Sequence, residues 1–191
     1  MNKSAFPLAL AIGALALAGC SGQDQAGKND AAKGGEAVKA AGDKTIAAGL
    51  DPNSSFFKAA KAAGLDATLA GPGPYTVIVP DDAAFAKLPQ GTMDNMLKPE
   101  SRNELTRLMT YHILPGTVLV EDIGKAIDTG KGKALLATMG GGTLTATREG
   151  DKIVLTDGDG HKATMAGTDE TLANGVIHRV DAVLMPGKAA A

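Results

Sequence analysis

Three separated blocks constrain this chain more than anything else in it: residues 75–89 (YTVIVPDDAAFAKLP), 111–116 (YHILPG) and 174–186 (NGVIHRVDAVLMP). Each joins a short apolar strand to a fixed turn or cap. In the first, residues 75–79 are β-branched and apolar enough for a buried strand. Asp81-Asp82 follows, and an Asp before Ala83-Ala84-Phe85 can accept bonds from free helix N–H groups and favours the positive end of the helix dipole. The spacing therefore predicts a strand running into a short helix over 83–88.

The pattern around the first block is helical. Ser54 or Ser55 can cap a helix running to Ala63, because Phe56, Ala59, Ala60 and Ala63 fall on one apolar face and Gly64 is a natural stop. Asp66 can cap a short turn over 67–69, and Thr92 another over 93–97. Ser101 and Glu104 have capping-box spacing. Leu105, Leu108, Met109 and His112 then trace one face of a helix that runs to about residue 110. Beyond it the chain becomes rich in strand signals, at 112–114, 117–120, 135–138, 143–147, 152–156, 162–165 and 176–184, with a helical turn over 121–127. Gly140–142, Glu149-Gly150-Asp151 and residues 157–160 read as turns. Helices first and strands afterwards give an α+β fold.

Taken together, the blocks resemble the fasciclin domain. Residues 76–85 match its strand-then-helix motif, with Asp82 where that family has its capping Asp and Asp81 in place of a common Thr. Tyr111-His112 matches its Tyr-His pair, and residues 174–178 (NGVIH) its closing motif, continued by Val180, Asp181 and Val183-Leu184. The resemblance covers nearly all of residues 44–186. It implies a helical cap packed on a small two-sheet β core, and binding rather than catalysis. It also implies partner contacts through Tyr111, His112, Asp122 and Ile123. Competing structural roles are Tyr111 packed in the core, Ile123 buried against the sheet and Asp122 capping a helix over 123–127.

The N-terminus reads as a targeting segment. Lys3 precedes an apolar run over 5–17 that is too short to span a membrane. Leu17-Ala18-Gly19-Cys20 has the layout of a bacterial lipoprotein cleavage box, with Cys20, the only cysteine, as the lipidated residue. The competing reading is an ordinary signal peptide that ends near a cysteine. Lipidation predicts a signal over residues 1–19, a tether over 20–42, one domain over 43–187 and a short tail, 188–191. The tether has too little apolar surface to repay ordering, and a coil of its length reaches roughly 25 Å. The expected location is the cell envelope. Ser21 points to the outer membrane if the host has two membranes.

Composition limits the chemistry. Losing Lys3 with the signal takes the formal charge from −2 to −3, which argues against nucleic acid as a partner. With Cys20 lipidated there is no disulfide. Trp is absent and aromatics are 3% of the chain, so the core must rest on Ala, Val, Leu, Ile and Met. His112 and His178 read as core histidines, each satisfied by a backbone carbonyl. His178 shares strand parity with Val176 and Val180, and His161 lies in a turn as an exposed residue. A zinc site would need further ligands. Asp157-Gly158-Asp159-Gly160 opens like a calcium loop but has Thr168 where the late acidic ligand belongs, so a type I′ hairpin turn explains it better. Phosphate-loop, nucleophile-elbow and zinc-protease motifs do not occur. The sequence predicts no enzyme and no cofactor. It points to a lipid-anchored module for a protein or polysaccharide partner. The alternative is a carrier or sensor of an apolar small ligand in the cell envelope, with Met93, Met96, Met109 and Met139 lining its pocket.

Overall fold

A computed structural model describes residues 43–187. The expected signal, Cys20, the expected tether and the tail 188–191 lie outside the described residues. The chain begins with helices α1 (Ile46–Gly49), α2 (Ser55–Ala62) and α3 (Asp66–Ala70), then strand β1 (Tyr75–Pro80). Helices α4 (Asp82–Ala86) and α5 (Thr92–Met96), a 3-10 turn (Pro99–Ser101) and α6 (Arg102–Tyr111) follow. Next come β2 (Ile113–Pro115), α7 (Val120–Thr129), β3 (Lys133–Ala137), β4 (Thr143–Glu149), β5 (Lys152–Thr156), β6 (Lys162–Thr164), β7 (Glu170–Leu172) and β8 (Gly175–Val180).

Local rules explain α2. Ser54, not Ser55, is its cap, with Oγ accepting from Phe57 N at 3.2 Å. Phe56, Ala59 and Ala60 are buried along one face, and Gly64 ends the helix at φ +79°. At α4 the capping role falls to Asp81, not Asp82. Asp81 has extended geometry and its Oδ1 accepts from Ala84 N at 2.6 Å. Asp82 already lies in the first helical turn, and its Oδ1 reaches across to accept from Ser55 N at 2.8 Å. That bond holds the Asp82 carboxyl below its ordinary range. Asp81→Ala is expected to cost about 1 kcal/mol in urea unfolding. A larger loss in Asp82→Ala would reverse the assignment of the cap.

Other expected caps do not form. Asp66 sits inside α3 behind Leu65, and Thr92 inside α5 behind Gly91, with no side-chain cap at either. The Ser101–Glu104 box fails because the 3-10 turn delivers Ser101 at φ −92°, ψ 4°, whereas a capping residue needs extended backbone.

Two four-stranded sheets form, in orders β2-β1-β8-β7 and β3-β4-β5-β6. In the first, β1 pairs parallel with β8, Thr76 opposite Val176 and Ile78 opposite His178, and antiparallel with β2. The second is an antiparallel meander. The sheets are stitched at two corners. Met165 bridges to Val180, and Met139 N donates to Ile113 O at 2.7 Å.

Period-two alternation in β1 divides the core. Val77 and Val79 face the helices, joining Ile46, Phe56, Leu105 and Ile177. Ile78 faces the second sheet, joining Leu144, Leu155 and Val180, with Ile123 and Ile127 of α7 closing that layer. Each such fully buried side chain contributes about 1.5–3 kcal/mol.

Two strand expectations need correction, and one strand was not expected. Residues 117–120 form no strand, because side chains take their backbone bonds. Val118 N donates to Thr76 Oγ1 at 2.9 Å, and Val118 O lies 2.7 Å from His178 Nε2. Helix α7 therefore starts at Val120 and exceeds the expected turn. Strand β7 was not anticipated. The last strand stops at Val180, where Asp181 turns away and its Oδ1 accepts from Thr164 N at 2.6 Å.

Candidate functional site

Helix α6 delivers the Tyr-His pair into the joint between the two sheets. Tyr111 is buried, and its hydroxyl donates to Thr143 O at 3.2 Å. The loop carrying Gly140 and Gly142 lies directly on it. A Cβ on Gly140 would come within 2.9 Å of Tyr111 N, and one on Gly142 would enter the ring. Burial raises the Tyr111 hydroxyl above its ordinary pKa.

His112 is buried as well. Its Nδ1 lies 2.9 Å from Leu108 O, which calls for a proton on Nδ1, and the bare Nε2 accepts from Leu184 N at 3.3 Å. Its ring meets Phe56 edge-on at 6.2 Å. Burial pushes its pKa down to about 4, against a weaker upward pull from the Leu108 carbonyl. At neutral pH it is an uncharged brace between α6 and the C-terminal segment.

Residues Asp122 and Ile123 separate. Ile123 is fully buried between α7 and the sheets, whereas Asp122 is exposed and its Oδ2 accepts from Leu119 N at 3.3 Å. Asp169 completes the cap of α7, accepting from Val120 N at 3.0 Å. Of Tyr111, His112, Asp122 and Ile123, only Asp122 is exposed.

The second motif histidine, His178, is buried and donates from Nε2 to Val118 O; its Nδ1 stands 3.4 Å from Asp169 Oδ1 without a hydrogen bond. Its placement follows the strand parity read from the sequence. His161 is exposed as expected, but its Nδ1 is held 3.0 Å from Asp157 Oδ2.

Two polar hubs escaped the sequence reading. Asn174 is buried; its Oδ1 accepts from Ile46 N at 2.7 Å while its Nδ2 donates to Leu69 O at 3.0 Å and Gly71 O at 2.7 Å. It locks α1 and α3 to the start of β8. Asp157, expected as a turn residue, is also buried. Its Oδ1 accepts from Asp159 N and His161 N, and its Oδ2 from Met185 N. Within 157–160 only Gly160 takes positive φ, so the turn is an Asp-anchored loop rather than type I′. The only sequence signal was an acidic residue next to an apolar strand.

Two surface clefts flank residues 185–187, which cross this joint. One, of about 380 Å³, is floored by Met96, Leu108, Met185 and Pro186. The other, of about 410 Å³, is walled by Gly140–Gly142 and Gly158. A third, of about 320 Å³, lies between α7 and the β4–β5 hairpin. The four methionines singled out in the sequence share no cleft. Met93, Met96 and Met109 pack in or against the helical core, and Met139 is 45% exposed. No group of three or more His, Cys, Asp or Glu side chains is placed to hold a metal ion among the described residues. None of their helices is long and apolar enough to cross a membrane.

The fasciclin-domain family pattern matches residues 52–186. The chain belongs to the fasciclin family. Protein sll1483 of Synechocystis is 35% identical over 141 residues, covering 74% of this chain and 71% of that protein. The pig transforming growth factor-beta-induced protein ig-h3 is 33% identical over 140 residues, 73% of this chain but 18% of that one. In structure the chain is similar to a FAS1 domain pair from fasciclin I, an insect cell adhesion molecule. The TM-score is 0.51 at 21% identity, covering 68% of this chain and 43% of that one. The likeness shows the fold, helices with two sheets as expected from the sequence.

Proposed function

We propose that this fasciclin domain is a non-catalytic adhesion or binding module for a protein or polysaccharide partner, displayed on the cell envelope. A lipidated Cys20 and the tether over 20–42 would hold it there, at the outer membrane in a double-membraned host. The observation that carries the reading is family membership, with a structural neighbour that is a cell adhesion molecule. The chemistry of the motif agrees with it. His112 and Tyr111 spend their polar atoms on backbone groups inside the fold, so neither is set up to exchange protons with a substrate. Contact then falls to the exposed surface, including Asp122.

Protease shaving of intact cells, followed by blotting for the domain, tests the display. Loss of signal is expected if the domain is outside the cell. Protection until the outer membrane is opened would exclude cell–cell adhesion. Deleting residues 43–187 while keeping the tether should abolish attachment to the partner surface, and unchanged attachment would overturn the reading.

A further inference from the structure

The cleft floored by Met96, Leu108, Met185 and Pro186 also reaches Glu104, Arg107, Asp159 and His161. These four charged or titratable side chains are not equivalent. Arg107 donates from Nη2 to Gly187 O at 2.6 Å, pinning the chain that crosses the cleft. His161 is held on the buried Asp157 carboxylate. Glu104 and Asp159 make no ion pair among the described residues. One N–H of Arg107 and the Nδ1 of His161 are committed to the fold, and the lining sets two carboxylates without an ion pair against a single guanidinium, above an apolar floor. Two methionine side chains in that floor can reshape around an apolar body, and the volume is within the range of small-molecule sites.

We propose that this cleft binds a small molecule with a compact apolar body and one ammonium or amidinium group. The apolar part packs on Met96, Leu108, Met185 and Pro186, and the cation sits at the rim by Glu104 and Asp159. The inference is independent of the binding-module reading, because a surface partner and a cleft ligand can fail separately.

The test is a titration of the full chain carrying Cys20→Ser, which removes the lipid attachment point. The methyl NMR signals of Met96 and Met185 are followed on adding hexylammonium. Saturable shifts of both are expected. Affinity should rise about three- to four-fold per methylene from the butyl to the hexyl compound, as apolar burial requires. Glu104→Gln and Asp159→Asn, both at exposed positions, should each weaken binding roughly 2–5-fold. Hexanoate should bind more weakly than the cation. Hexanoate binding as well or better would assign the cleft to Arg107 and overturn the proposal. So would undiminished cation binding in the double variant, or the absence of saturable shifts.

Discussion

Asn174→Ala is expected to lower the unfolding free energy by roughly 3–5 kcal/mol, because three backbone groups lose their partner at once. Ile46 N loses its acceptor, and Leu69 O and Gly71 O lose their donors. Ile46 and Leu69 are buried, so water does not simply replace the amide. The amide also acts at a distance in sequence, joining α1, α3 and β8 across more than a hundred residues. Its loss should loosen the whole N-terminal helical layer rather than one loop. Urea unfolding gives the free energy. Hydrogen exchange should show residues 46–50 and 66–71 opening first. Asn174→Asp separates hydrogen bonding from packing. It keeps the acceptor for Ile46 N but aims a carboxylate at two carbonyls, so it should fall close to the Ala variant. Recovery of most of the stability in Asn174→Asp would show that the two carbonyl bonds matter little.

The elements legible in the sequence are those whose causes are local. The α2 face, its Gly64 stop, the buried strand β1 and the burial of His178 all follow from local composition and spacing, and the structure reproduces them. The failures share a different cause. Caps at Asp66 and Thr92 were read from residue type and the one at Ser101 from its spacing to Glu104, but the backbone arriving at each is not extended. Residues 117–120 have strand composition, yet Thr76 and His178 capture the bonds a neighbouring strand would have made. Strand β7 is short and half-buried, and its pairing with β8 is set by distant chain rather than by its own sequence. The same limit applies to the candidate site. For Tyr111, His112, Asp122 and Ile123 the sequence offered two directions, outward to a partner or inward to the fold. The structure takes the structural roles, with Tyr111, His112 and Ile123 buried and Asp122 capping α7. Whether a helix-end Tyr faces solvent depends on the loop of Gly140 and Gly142 that covers it, thirty residues away. Asp157 and Asn174 were visible as turn and motif residues, while their roles as hubs required knowing which backbone groups surround them.

Acid should weaken this domain through His112 before most carboxylates respond. Its folded pKa of about 4 lies below the ordinary 6.5. Between these values the unfolded chain binds a proton that the folded chain refuses, so stability rises with pH across that window. The contribution is fully present above about pH 6.5. It is lost progressively on acidification and amounts to roughly 3 kcal/mol by pH 4. The unfolding free energy, measured at intervals from pH 7.5 to 4.5, should be flat at first and then slope downward by up to one proton per molecule. His112→Gln cannot titrate there. It should lie lower throughout, because Leu184 N and Leu108 O lose well-placed partners, but its slope from pH 6.5 to 5 should be shallower by nearly one proton. Asp82 does not obscure the comparison. Its carboxyl is held below 3.8, so the stability it adds is lost only at lower pH. An unchanged slope in His112→Gln would mean that His112 accepts a proton inside the fold, and its role as a neutral brace between α6 and the C-terminal segment would fail with it.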